Sequence, residues 1–171
     1  MEGVGPGSRR AEPVELRKVR APDIDAFVTH QADSVAQSAA VFAADADDRS
    51  LRLRWERILE APAVQVRTIE VAGRVAGRVA GHVLLWRDDE MPGPEISYWV
   101  GREYWGAGIA TAAVRQFVDD LRERPLYGRA ARTNVASVRV LEKCGFVRVK
   151  TLAASAPDDS LVEEVVYRLD R

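Results

Sequence analysis

Cysteine is almost missing from this chain, with one in 171 residues beside only two histidines. A single thiol cannot close an internal disulfide, and one cysteine with two histidines is a poor ligand set for a structural metal. Secretion and a zinc-built fold are therefore disfavoured. We expect no metal and a cytoplasmic location. Charge of one sign is lacking too: 25 Lys and Arg stand against 26 Asp and Glu, a formal net charge of -1. Such a chain has no global field for coating nucleic acid or an anionic membrane. No uninterrupted apolar run approaches the roughly 20 residues that span a bilayer. The N-terminal MEGVGPGSRRAEP carries two arginines with no apolar stretch after them, so it does not read as a signal peptide.

What is present suits one soluble domain. Apolar residues make up 47% and charged residues 30%, a globular rather than a disordered balance, and the length fits a single core. Residues 1–12 are rich in glycine without periodicity and read as a mobile tail, leaving 13–171 as the domain. Val14 to Val19 alternates as a strand. Asp23 is placed to cap a short helix with Ile24, Phe27 and Val28 on one face. An alanine-rich stretch over 32–47 gives a weaker helical signal. Ser50 is then placed to cap a helix whose Leu51, Trp55, Ile58 and Leu59 follow the 3.6 period.

Strands follow at 64–71, 79–86 and 95–101. Between the first two lies a tandem repeat, AGRV at 72–75, AGRV at 76–79 and AGHV at 80–83. Units this short build no solenoid, so they read as a lengthened hairpin tip. Because four is even, the insertion should keep each flanking side chain on its own face. Helices are expected over 106–122 and 134–144, the latter closed by Gly145, with strands at 126–132, 146–152 and 161–169. The order is strand, helices, three strands, helix, strand, helix, two strands: a mixed sheet with helices on its faces.

Chemistry concentrates in SYWVGREYWGAGIAT, residues 97–111. A strand ends near Gly101, and a loop holding Gly106 and Gly108 runs directly into a helix. N–H groups at such a start have no partner within the helix, and the helix dipole adds roughly half a positive charge, which favours a phosphate. Two glycines merely easing a tight turn explain the same letters. No Gly-Lys-Ser/Thr follows, which disfavours a nucleoside-triphosphate loop, and the Rossmann spacing is matched imperfectly and late in the chain.

Three features, in order, resemble the GCN5-related N-acetyltransferase (GNAT) superfamily, particularly its ribosomal-protein N-terminal acetyltransferase-like branch. They are EISYWVGREYWGAGIATAAV (95–114), Asn134-Val-Ala-Ser137 opening a helix, and Arg139-Val-Leu-Glu-Lys-Cys-Gly-Phe146 closing it. The resemblance implies an α/β fold, a mixed sheet of about seven strands flanked by helices. It also implies acetyl-CoA as co-substrate and an amine as acceptor, either a peptide N-terminus or a small molecule, with dimers frequent. The backbone of Trp99, Val100 and Gly101 would bind the pantetheine arm as an added strand. The N–H groups of Trp105, Gly106, Ala107, Gly108, Ile109 and Ala110 would hold the pyrophosphate, and Asn134 would hold the pantetheine through its side-chain amide; a helix N-cap explains Asn134 too, and both roles can hold at once.

Two departures from the family pattern stand out. Glu103 occupies a place often held by Arg or Gln, so its carboxylate must face away from the phosphates. Leu141 stands where many members carry a tyrosine that protonates the leaving thiolate. By resemblance to the branch, Ser137 takes over by stabilising that sulfur, although a first-turn capping role explains it too. Between 101 and 150, Lys and Arg outnumber Asp and Glu ten to five, an excess suited to a polyphosphate, with Arg102, Arg139 and Lys143 as candidate partners. Glu95 is the candidate general base, acting through water that Ser97 and Tyr98 could orient, with His82 as a weaker candidate. Cys144 reads as a packed residue. The acceptor is expected between residues 24–59 and 152–162, near Phe42, Arg52, Arg54, Trp55, Asp158 and Asp159. The alternatives are a catalytically silent CoA-binding module and a nucleotide-binding protein.

Overall fold

The computed structural model describes residues 13–40, 47–72, 77–87, 89–155 and 160–171. The expected tail at 1–12, together with Phe42, Asp158 and Asp159, lies outside them. The elements run β1 (Val14–Arg17), α1 (Asp23–Gln31), α2 (Ser34–Ala40), α3 (Asp48–Glu60), β2 (Gln65–Val71), β3 (Arg78–Trp86) and β4 (Glu95–Val100). After a short 3-10 turn (Arg102–Tyr104) come α4 (Ile109–Asp120), β5 (Leu126–Ala131), α5 (Val135–Lys143), β6 (Val147–Ser155) and β7 (Leu161–Leu169). The order read from the sequence is therefore found. The strands form one seven-stranded sheet, β1-β2-β3-β4-β5-β7-β6, in which β4 and β5 are the parallel neighbours and every other described pair is antiparallel.

Both faces of this sheet are covered. On β3, Val83 and Leu85 point into a core shared with Ile109, Ala113, Val114, Phe117 and Val118, the buried stripe of α4. Each large apolar side chain buried there contributes roughly 1.5–3 kcal/mol. Leu84 and Trp86 point the other way, into a second cluster with Phe27 and Val28 of α1 and Leu51 and Trp55 of α3. Leu141 on α5 is buried in the first core, and a Cβ at Gly128 would lie 2.8 Å from its methyl, so it is a packing residue.

Several local expectations need correction. The side-chain cap of α3 is Asp47, which accepts from the Ser50 N–H at 2.7 Å; Ser50 itself lies within the helix. Asp23 does not cap α1, whose N-cap is Pro22 with no side-chain hydrogen bond; it is the buried first residue of the helix, and its carboxylate brackets Arg17, the Arg20 N–H and Thr68. The third repeat copy, 80–83, is not part of a hairpin tip but lies inside β3. The expected preservation of faces also fails there. A bulge opposite Ile69 and Glu70 makes Ala80 an extra residue, so Val79 packs with the α1/α3 cluster while Val83 packs with α4.

Candidate functional site

The central gap comes from strand pairing. β4 and β5 share one register pair, Glu95 with Tyr127, and the Tyr127 N–H donates to the Pro94 carbonyl at 2.9 Å. Beyond that pair, no register partner on β5 is found for the rest of β4. On the opposite edge of β4, the Gly101 N–H donates to the Ala80 carbonyl at 2.9 Å, and the Trp99 carbonyl lies against Gly81 on β3. Backbone groups alternate along a strand, so Trp99 and Gly101 face β3, whereas Tyr98 and Val100 face the gap. Of the expected trio Trp99, Val100 and Gly101, Val100 alone turns its backbone to the gap. The Val100 carbonyl accepts from the Trp105 indole N–H at 2.8 Å, which leaves its N–H toward the gap.

Past the strand, the chain makes the 3-10 turn and enters α4 through Gly106 and Gly108, at φ 75° and 76°. These left-handed values are available to glycine at little cost. No described side chain caps α4. The Trp105 N–H is committed to the Arg102 carbonyl at 3.1 Å, which removes it from the expected phosphate-binding set. No described group accepts from the N–H groups of Gly106, Ala107, Gly108, Ile109 and Ala110, and a Cβ at either glycine would meet nothing within 4 Å. Five unpartnered donors at an open helix start suit a diphosphate. Glu103 turns away from them toward His30, its Oε1 lying 3.2 Å from Nε2, and Arg102 pairs with Asp33 at 3.0 Å.

On the α1/α3 side of the sheet, a cavity of about 670 Å³ reaches from Trp55 and Arg54 past His82, Ser97 and Trp99 to Asn134 and Ser137. At the start of α5, Asn134 Oδ1 accepts from the Ser137 N–H at 3.1 Å, so the capping role is real, and both residues still line the cavity. Tyr98 donates its hydroxyl to the Ser137 carbonyl at 3.2 Å, and burial pushes its pKa up. Glu95 is buried in the wall, with both carboxylate oxygens accepting from Arg129 Nε at 3.1 and 3.0 Å. Arg129 also reaches Glu90 at 2.7 Å and lies 3.8 Å from Glu164. His82 packs edge-on against Phe27 and Trp55 with Nδ1 buried and unpartnered. Its burial, with Arg54 and His30 adding to it, pushes its pKa down to about 3. Cys144 is half-buried, donates to the Thr111 carbonyl at 3.5 Å and is held protonated by burial, as its packed reading implies.

This architecture has known counterparts. The family profile described as "Acetyltransferase (GNAT) domain" matches residues 14–147. The chain belongs to the GNAT family of N-acetyltransferases. Solved structures agree in fold. A GNAT-family acetyltransferase from Bacillus anthracis is 17% identical with a TM-score of 0.78, over 94% of this chain and 96% of that one. A spermidine N-acetyltransferase from Vibrio cholerae, in complex with CoA and spermine, is also 17% identical at 0.78, over 92% and 95%. A Salmonella typhimurium protein solved with its cofactor acetyl-CoA is 18% identical at 0.74, over 92% and 94%. No curated protein matches the chain.

Of the residues singled out in this GNAT chain, Glu95, Trp99, Asn134 and Ser137 line the cavity, whereas Gly106 to Ala110, on the loop and the first turn of α4, lie outside it. Arg54 and Trp55 line it on the expected acceptor side, but Arg52 is spent on Asp48 and Asp25. Sequence reading missed Arg129, Glu90 and Glu164. The available signal was a charged residue inside a strand otherwise built of small apolar ones, at Gly128-Arg129-Ala130, which marks a buried partner. Among the described residues no group of three acidic, histidine or cysteine side chains could hold a metal, and no helix is long and apolar enough to cross a membrane.

Proposed function

We propose that this GNAT chain transfers an acetyl group from acetyl-CoA directly to an amine, with both substrates bound at once. The observation that carries the reading is the run of five unpartnered N–H groups, Gly106 to Ala110, beside a strand gap that opens onto an amine-sized cavity. The donors fit a CoA diphosphate, and the gap-facing backbone of Tyr98 and Val100 fits an extended amide arm. Bound there, acetyl-CoA supplies the activated thioester. Asn134, with its Oδ1 shared with the Ser137 N–H, offers its amide NH2 to the pantetheine arm. The Ser137 hydroxyl, on the first turn of α5, stabilises the departing sulfur in place of the tyrosine that Leu141 displaces. Glu95 takes a different role from the one its position first suggests. A carboxylate clasped by a guanidinium is a poor proton acceptor, so Glu95 fixes Arg129 in the wall.

The Asn134-x-x-Ser137 pair supports placing the chain in the ribosomal-protein N-terminal acetyltransferase-like branch, with a peptide N-terminus or a small amine as acceptor. That a Vibrio cholerae relative binds CoA with spermine supports the amine side of the reading. Thermal unfolding with acetyl-CoA, CoA, ATP or NAD tests the cofactor. A ligand at about 100 times its dissociation constant adds roughly 2.7 kcal/mol, a rise of several degrees. A shift with both CoA compounds alone is expected, followed by sequential kinetics in thiol release. Ping-pong kinetics with an acetylated protein overturns direct transfer, and tight binding without turnover over a broad amine panel makes the chain a silent CoA-binding module.

A further inference from the structure

Resting on the acetyltransferase reading, we infer that Glu164 on β7 is the carboxylate that receives the acceptor's ammonium and takes its proton. Three carboxylates, Glu90, Glu95 and Glu164, surround one guanidinium, Arg129, and all four line the cavity. They are not equivalent. Arg129 Nε serves both oxygens of Glu95, and its Nη1 serves Glu90. Glu164 is left with Arg129 Nη1 at 3.8 Å, beyond hydrogen-bond reach, and accepts no hydrogen bond from any described residue. Its side chain is 12% exposed, so water solvates it poorly.

Its placement fits the reaction. Glu164 pairs across the sheet with Ala131, whose carbonyl accepts from the Asn134 N–H at 2.9 Å. The carboxylate therefore stands on the cavity wall beside the start of α5, where Asn134 and Ser137 face the same space. The charged groups around it are Arg129 on β5, Glu90 before β4, Glu95 behind Arg129, and Lys150 on β6. Burial pushes its pKa up; Arg129 and Lys150 oppose this and Glu90 adds to it. A carboxylate raised toward working pH is the better acceptor.

The protons balance. The acceptor ammonium gives one proton to a Glu164 oxygen. The neutral amine nitrogen then forms its bond to the acetyl carbonyl carbon as the carbon–sulfur bond breaks. A second proton of that nitrogen passes to the departing sulfur beside Ser137, leaving an amide and free CoA thiol, and Glu164 returns its proton to water.

The test uses the full chain, acetyl-CoA and two nucleophiles: spermine, whose amines are protonated at about pH 7, and hydroxylamine, which is neutral there. Glu164→Gln is expected to cut spermine turnover by on the order of 100-fold, to remove the acidic limb of its pH profile, and to cut hydroxylamine turnover far less. Unchanged spermine turnover, or equal losses with both nucleophiles, overturns the assignment. A readout independent of turnover is the carboxyl-carbon NMR titration of the wild-type chain, with Glu164 assigned through Glu164→Asp. Titration above the ordinary glutamate range supports the proposal, and titration at or below it refutes it even where neither nucleophile reacts. Failure of the wild-type chain to bind acetyl-CoA is a separate result, which removes the acetyltransferase reading itself.

Discussion

Replacing Asp23 with alanine should cost more stability than any surface change, because one buried carboxylate closes the junction of β1, α1 and β2. Asp23 accepts from Arg17 Nη1 at 2.6 Å and Nη2 at 2.9 Å, from the Arg20 N–H at 2.8 Å and from the Thr68 hydroxyl at 2.7 Å. In Asp23→Ala, Arg17 keeps only Glu70 as a carboxylate partner, and the Thr68 hydroxyl, fully buried, has no acceptor. Removing one partner of a buried ion pair costs about 3–5 kcal/mol. For a chain of this size that corresponds to roughly 6–20 °C in Tm. Thr68→Val, which removes one hydrogen bond to the charged Asp23 carboxylate, should cost about 1.5–3 kcal/mol.

Acid supplies an internal control. Burial alone would raise the Asp23 pKa, but the hydrogen bonds from Arg17, the Arg20 N–H and Thr68 outweigh it and hold the carboxyl below the usual range. The folded value lies under the unfolded one, about 3.9. Its stabilisation is therefore complete above that value and is lost as pH falls through the folded one. Urea unfolding followed by circular dichroism should show the gap between wild type and Asp23→Ala at about pH 7 narrowing in acid. A gap under about 1 kcal/mol at neutral pH, or one that widens in acid, refutes the reasoning.

Gly108→Ala should lose about 1–2 kcal/mol from its left-handed φ of 76°. Its methyl meets nothing in the free protein but stands over the N–H run, so calorimetry should show acetyl-CoA affinity falling at least tenfold; unchanged affinity removes that run as the diphosphate site. In Gly81→Ala the Cβ would sit 1.9 Å from the Trp99 carbonyl, forcing β4 off β3. A loss of about 1–3 kcal/mol, together with weaker acetyl-CoA binding, is expected in thermal melts. His82 stays neutral in the fold down to about pH 3, while the unfolded residue charges near 6.5. Stability should therefore fall below about pH 6.5 by up to 1.4 kcal/mol per pH unit, and His82→Phe should flatten that slope. Equal slopes in melts of the two proteins would count against it.

The element order and the open, glycine-bearing start of α4 were legible because each depends on neighbours in the chain. Helix periodicity, the Asn134 cap and the pair Gly106 and Gly108 are local facts. Asp23 shows where local reading stops. Its letters fit a helix cap, yet its partners Arg17 and Thr68 come from two strands, one of them 45 residues away. Likewise Glu95 looks like a base until Arg129, brought alongside by the β4–β5 pairing, takes both its oxygens.

The orientation of Trp99 and Gly101 has a subtler cause. Side-chain alternation along β4 reads directly from its letters, with Ile96, Tyr98 and Val100 on the α4 face. In an L-chain the face a side chain takes also fixes the edge toward which its backbone N–H and C=O point, so Tyr98 and Val100 present theirs to the β5 edge once β3 occupies the other. The Gly101 N–H on the Ala80 carbonyl continues a β3–β4 register that runs unbroken from Gly81 and Val100 to Trp86 and Glu95. What the letters of β4 withhold is which strand lies on which of its edges. That is settled by the antiparallel pairing with β3 and the single pair shared with β5, and only then does one set of backbone groups, that of Tyr98 and Val100, fall on the open side.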